Sequence, residues 1–191
     1  MKQVKGPWIQ DYVKMVKSFL KDSPEKKAEF EELLETKDWD IINSFVVPTE
    51  YYDYDSFQRI GRAVFIVIAQ SNLQAVQAYG GIMIEYLLKF YKRVLVEEEP
   101  IETLQRFIGF HTSYFQAVDS HTEMMYCSET NAIIKLKLVD SDKQYPEASK
   151  AFAYQLAGSF VKLAELAGAK NIQIKIQEDH GGNYVYNISW D

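Results

Sequence analysis

The spacing of the apolar residues changes after about residue 118, and that change limits the folds that the chain can adopt. Up to about residue 118, apolar residues recur every three or four positions, which is the pattern of amphipathic helices. From residue 123 onward the pattern includes strict alternation, as in Ile134, Leu136 and Leu138, which are separated by lysines. Such alternation is typical of a strand with one buried face. The sequence therefore predicts an α+β fold, with helices first and strands afterwards.

The strands of the last third form two predicted pairs around a helix. The predicted segments are strands at 123–127, 134–138, 172–177 and 184–190, with a helix at 146–167. Gly168 is expected to end that helix, and Gly181-Gly182 between two alternating runs is a strong hairpin signal. We therefore expect a helical N-terminal half followed by a ββ-helix-ββ unit that forms a four-stranded antiparallel sheet.

The helical half is predicted to begin near Pro7, a residue suited to a first helical turn. A later helix is expected to begin at Asp55, with Gln58 three residues on completing a capping box. The aromatic and acidic segment 51–55 before it suits either a surface that docks a partner or a packed helix entry.

Two glycines and a long apolar run follow. Gly80 and Gly81 are interpreted as a helix junction. Residues 82–96 are apolar on nearly every side, which predicts a central, buried helix.

Length, charge and cysteine content set broad limits. The chain has 191 residues, and without a linker or repeat it is expected to form a single domain over 1–191. Its net charge of −6 makes it a poor candidate for binding nucleic acid. A single cysteine, Cys127, excludes an internal disulfide and favours a reducing compartment. No apolar stretch is long enough to span a bilayer, so a cytoplasmic protein is expected.

The residues that carry catalysis or bind metals do not fall into a known pattern. The soft metal ligands are His111, His121, Cys127 and His180, and none has a metal-site spacing, so no metal is expected. No nucleophile elbow is present, so we expect no catalytic residues and no enzyme. An unrecognised enzyme would rest on the acids Asp140 and Asp142, with His121 nearby.

Aromatic residues are abundant, with 13 Tyr and 11 Phe, and they fill cores or line ligand pockets. Five of them lie on two predicted helices, and together with His111 they suit the wall of a cavity or an ordinary core. These candidate pocket residues are Tyr86, Phe90, Phe107, Tyr114 and Phe115.

Several short segments resemble the haem nitric-oxide/oxygen-binding (H-NOX) superfamily. The segments are Lys5-Gly6-Pro7-Trp8-Ile9, the run 163–172 at the end of the long helix, and the closing Ile188-Ser189-Trp190. The run 47–52, followed by Phe57 and Arg59, is similar to an uncharacterised bacterial family that is regarded as H-NOX-like and thought to lack haem. The resemblance covers nearly the whole chain and implies the H-NOX fold.

The resemblance also implies where haem would bind. H-NOX domains ligate the iron through a His on a helix before the sheet, a position that His111 matches here. Their Tyr-x-Ser-x-Arg motif binds the haem propionates, and the nearest stretch in this chain is 139–143. That stretch keeps Ser141, places Lys143 where the motif has Arg, and adds two carboxylates that would repel propionates. His111, Ser141 and Lys143 are thus the cofactor-binding residues only if haem binds.

The leading hypothesis is a non-enzymatic sensory or regulatory domain that binds a small apolar ligand or a protein partner without haem. Ligand would shift the helical half against the sheet, and a signalling protein in trans or a second copy of the chain would respond. The alternative is a haem-based gas sensor with His111 as its axial ligand. A purely structural interaction module is a further hypothesis.

Overall fold

The computed structural model describes residues 2–118, 121–138 and 142–191, and it has helices first and strands mainly last. The helices are α1 Gly6–Asp22, α2 Lys27–Glu31, α3 Thr36–Asn43, α4 Tyr54–Ala63, α5 Leu73–Phe90, α6 Pro100–Thr112 and α7 Pro146–Leu166. The strands are β1 Gln3–Lys5, β2 Tyr51–Asp53, β3 Phe115–Gln116, β4 His121–Ser128, β5 Asn131–Lys137, β6 Gln173–Glu178 and β7 Tyr184–Ser189. No helix in these ranges combines the length and the apolarity that crossing a membrane requires.

The last four strands form one antiparallel sheet, as predicted, and their order is β4-β5-β7-β6. The two hairpins meet at the centre, where Ile134 lies opposite Tyr186. Helix α7 covers the apolar face: the Phe160 ring lies 5.2 Å from that of Tyr186, whose hydroxyl donates to the Ala153 carbonyl at 3.0 Å. The predicted α+β fold with its ββ-helix-ββ unit is therefore confirmed.

A second, smaller sheet in the order β2-β1-β3 was not predicted. Val4 of β1 is fully buried and lies opposite Tyr52 on one side and Phe115 on the other. Strands of two or three residues are too short to show alternation, so their pairing is invisible in the sequence. This sheet joins the start of α1 to the start of α4 and the end of α6.

Helix α4 begins one residue before the predicted cap, so the prediction of Asp55 as N-cap is wrong. Asp53 caps the helix, and its carboxylate accepts from both the backbone N–H and the hydroxyl of Ser56 at 3.1 Å. Pairing of β2 with β1 keeps the chain extended up to Asp53, and Asp55 consequently lies inside the first turn.

Helices α5 and α7 approach closely enough for their backbones to touch. A Cβ on Gly80 would collide with the carbonyl oxygen of Gln155, and one on Gly158 would collide with that of Gln77. Helix α5 runs unbroken through Gly80 and Gly81, so the predicted junction at this point is wrong. Gly80 interrupts the apolar pattern for a reason of packing, since only a residue without a Cβ permits the two helices to cross this closely.

The prediction of a central, buried helix over 82–96 is also wrong. Helix α5 ends at Phe90, and Gly80 and Ile84 are its buried residues. Ile82 is 63% exposed, Tyr86 51% and Phe90 67%. One side of α5 packs on α7, while these three side chains on the rest of its surface stay largely exposed.

Candidate functional site

An apolar groove of about 240 Å³ lies between the start of α1, the second half of α5 and the end of α6. Its α5 wall consists of Met83, Tyr86, Leu87 and Phe90, which are spaced so that they share one helical face. The groove therefore lies between this face of α5 and the neighbouring residues of α1 and α6, which cover it only in part.

Aromatic rings form the rest of the groove. Tyr91 follows α5, and its ring centroid lies 4.7 Å from that of Phe110, which in turn lies 4.6 Å from that of Tyr114. Trp8 lines the groove from α1. Asp11, at the α1 end, is the acidic residue in the wall, and its burial raises the pKa of the carboxyl against the opposing effect of Lys14. The groove is mainly apolar, which suits a small apolar ligand.

His111 lies behind the groove, near the end of α6, and is 4% exposed. The ring centroids of Trp8, Phe115 and Phe152 lie 4.9, 5.0 and 5.6 Å from that of the imidazole. Neither ring nitrogen has a hydrogen-bond partner in the described part of the chain. Burial lowers the pKa of His111 to about 3, so the imidazole is neutral at ordinary pH.

The candidate pocket residues divide between these two places. Tyr86, Phe90 and Tyr114 line the groove. Phe107 is 1% exposed and packs beside His111, as does Phe115. Trp8 belongs to both places. It was not among the candidates because it shares one face of α1 with other apolar residues, a pattern that is typical of an ordinary core.

The surroundings of His111 do not fit haem. An unpartnered buried nitrogen is what an axial ligand requires. The cavity beside the imidazole, however, measures about 20 Å³, enough for about one water molecule. Aromatic rings occupy the remaining space.

Ser141 and Lys143, the residues that the resemblance assigns to the haem propionates, do not support haem binding either. Ser141 lies outside the described residues. Lys143 lies before α7, where its Cε is 3.7 Å from the position that a Cβ on Gly182 would take, and it does not line the cavity beside His111.

A buried ion pair is the main polar feature that the sequence analysis missed. Arg59 of α4 donates from Nε and Nη2 to the two carboxylate oxygens of Asp38 on α3 at 2.7 and 2.8 Å. Arg59 also donates to the hydroxyls of Ser56 and Tyr145 at 3.2 and 3.3 Å. These bonds fix α3, α4 and the start of α7 to each other. In the sequence, Arg59 stands between the apolar residues Phe57 and Ile60 of α4, and an arginine at such a place is the signal that could have indicated a buried ion pair.

A second groove of about 240 Å³ lies along the first half of α5, beside a π-helical turn at Val64–Ile68. Tyr12 lines it and donates to Gln155 Oε1 at 2.8 Å, while Gln155 Nε2 donates to the Met83 sulfur at 2.7 Å. Through Met83 this buried chain of contacts reaches the first groove.

No group of three His, Cys, Asp or Glu side chains is placed to hold a metal within the described ranges. The acid Asp140, invoked for an unrecognised enzyme, lies outside those ranges. His121 lies 3.6 Å from Glu123 at the edge of the sheet, and Cys127 is exposed on β4.

Comparison with solved structures identifies the fold. The Fe(II) unliganded H-NOX protein of K. algicida matches with a TM-score of 0.68 and 13% identity, over 98% of this chain and 96% of that chain. A mutant of T. tengcongensis H-NOX matches with a TM-score of 0.63 and 12% identity, over 98% and 97%. An oxygen-binding H-NOX domain related to soluble guanylate cyclases, in its oxygen complex, matches with a TM-score of 0.58 and 12% identity, over 98% and 95%.

Sequence comparisons give no closer assignment, since no family model and no curated protein matches the sequence. The chain has an H-NOX-like fold along nearly its whole length, as the segments at its two ends predicted. At identities this low the likeness establishes the architecture alone.

Proposed function

We propose that this chain is a non-enzymatic sensory domain that binds a small apolar ligand in the aromatic groove and does so without haem. The observation that carries the proposal is the groove itself. Tyr86 and Phe90 expose about half or more of their surface there, next to a concave apolar wall. Large apolar side chains that stay exposed around a concavity are typical of binding sites.

The absence of haem from the proposal rests on the packing around His111. The rings of Trp8, Phe115 and Phe152 fill the space in front of the imidazole. Reopening that space would expose buried aromatic surface, at a cost of about 1.5–3 kcal/mol for each side chain. The neighbours of known structure include an Fe(II) H-NOX protein and an oxygen-bound H-NOX domain, whereas the site proposed for this chain is the groove and not the space beside His111.

Trp8 gives the groove a route to the rest of the fold. One side of this residue lines the groove, and its ring also contacts His111 of α6 and Phe152 of α7. A ligand that displaces Trp8 would therefore move α7 and the sheet relative to the first helices. In the proposal, a signalling protein in trans or a second copy of this chain detects that movement.

Fluorescence of N-phenyl-1-naphthylamine, a neutral probe that brightens in apolar surroundings, tests the groove. We expect saturable binding to the unmodified chain and a loss of at least about tenfold in affinity for Leu87→Trp, which fills the groove. Ile82→Trp is the matched control, because it adds the same ring to an exposed position of the same helix. Equal binding by all three proteins would refute the groove as the site.

A separate measurement tests the proposal that the chain functions without haem. We expect haemin added to the purified protein to give the same absorption spectrum with the unmodified chain and with His111→Ala. A Soret band that responds to nitric oxide and disappears in His111→Ala would overturn this part in favour of a gas sensor.

A further inference from the structure

A basic surface continues the groove beyond the end of α5. Lys89, Lys92, Arg93 and Arg106 line this surface, an open concavity of about 600 Å³. It shares Phe90, Tyr91 and Phe110 with the apolar groove. The two concavities therefore adjoin along these rings, and the pair of them, called the channel below, has an apolar part and a cationic end.

The positive charge at this end contrasts with the net charge of the whole chain, which is −6. Arg106 is neutralised by Glu102, with Nε and Oε1 2.9 Å apart. Lys89, Lys92 and Arg93 have no carboxylate partner among the described side chains, and all three are exposed. Lys89 Nζ lies 5.7 Å from the centroid of the Tyr86 ring, so a cation also borders the apolar part.

The opposite end of the channel carries no excess of positive charge. Asp11 lines the groove near α1, and Lys14, whose Nζ lies 3.7 Å from its carboxylate, is its ion-pair partner. An anionic group at one end of a ligand would therefore be attracted to Lys92 and Arg93 and not to the α1 end. The charges and the shape of the channel therefore favour one orientation of a bound ligand.

We propose that the ligand of the groove is an anionic amphiphile, a molecule with an alkyl or aromatic body and a carboxylate or similar head. This inference rests on the proposed function and specifies its ligand class. The body lies along Tyr86 and Leu87, and the head lies between Lys92 and Arg93. A monomeric ligand is favoured over a membrane surface because the apolar wall is concave and lies behind Phe90, where a flat bilayer does not reach.

Three twelve-carbon probes with different heads test the charge selection: dodecanoate, 1-dodecanol and dodecylammonium, each below its micellar concentration and measured by displacement of N-phenyl-1-naphthylamine. We expect dodecanoate to bind at least about tenfold more tightly than dodecanol, and dodecylammonium to bind most weakly. Added salt should narrow these differences, because the cations are exposed.

The double variant Lys92→Gln/Arg93→Gln should lose the preference for dodecanoate and keep its affinity for dodecanol. Lys150→Gln/Lys175→Gln is the matched control: it removes the same charge from exposed positions on α7 and β6 and should keep the preference.

Equal binding of dodecanoate and dodecanol would overturn the anionic head and leave the apolar groove standing. Failure of all three probes to bind would remove the proposed function as well. Binding to phosphatidylglycerol vesicles without binding of monomeric dodecanoate would overturn the inference in favour of a membrane-docking surface.

Discussion

His111→Phe should make the protein more stable, and the gain should grow as the pH falls. The imidazole is buried among aromatic rings, and neither nitrogen has a partner in the described structure. Each unsatisfied buried polar group costs about 1–3 kcal/mol. Phenylalanine removes both groups and leaves a ring in a site already lined by rings. At pH 7.5 we therefore expect the free energy of unfolding to rise by at least about 1–3 kcal/mol.

The pH dependence follows from the pKa of His111, which burial lowers from 6.5 to about 3. Below pH 6.5 the unfolded chain takes up a proton that the folded chain does not bind. The stability contributed by the neutral imidazole is therefore complete above pH 6.5 and is lost as the pH falls toward 3. At pH 5 this loss is about 2 kcal/mol, and His111→Phe abolishes it.

Urea unfolding at pH 7.5 and pH 5.0, followed by tryptophan fluorescence, measures both effects. The difference between His111→Phe and the unmodified chain should be about 2 kcal/mol larger at pH 5.0. His121, which lines the same small cavity, remains in both proteins. His180→Phe, at an exposed position, should leave the pH dependence unchanged. A destabilised His111→Phe protein, with the same pH dependence as the unmodified chain, would refute the description of His111 as unpartnered.

Substitutions at three further places test the packing by urea unfolding. Gly80→Ala should lower the free energy of unfolding by at least about 2 kcal/mol because its Cβ meets backbone, whereas Gly81→Ala, whose Cβ makes ordinary van der Waals contacts, should raise it by about 0.5–1 kcal/mol; equal effects would contradict the close crossing. Asp38→Leu should cost about 3–5 kcal/mol, because it removes both carboxylate acceptors of the buried Arg59 fork and the α3 capping bond from the Glu35 N–H, and leaves Arg59 only the exposed Glu35 carboxylate 3.5 Å from Nη1; adding Arg59→Met should restore part of that loss, and a double variant as unstable as the single one would refute the pairing. Gly168→Ala should cost about 1 kcal/mol or more, since φ at this position is +99°, and an unchanged midpoint would count against that conformation.

The four-stranded sheet was predictable because its signal is local. Alternation in β5 and β7 and the glycines of the last turn are written within short stretches of sequence. The β1-β2-β3 sheet joins residues far apart along the chain through very short strands, so no local pattern reports it.

The exposure of α5 could not be predicted for a different reason. An apolar helix is buried only if another element covers it, and the sequence does not state which face remains uncovered. The candidate site could be predicted only in part, for the same reason. Tyr86, Phe90 and Tyr114 were selected as aromatic candidates together with Phe107, but Phe107 packs in the core on Phe160 of α7, a contact between distant segments that no local pattern reports.

Methyl NMR of methionine-labelled protein tests the central claim most directly. Met83 lines the groove, Met15 lines the second groove beside the π-helical turn, and Met125 is exposed on β4. On titration with 1-dodecanol, a ligand in the proposed site should shift the Met83 methyl signal saturably and leave those of Met15 and Met125 in place. A saturable shift at Met15 alone, or no shift at Met83, would contradict the assignment of the groove as the sensory site.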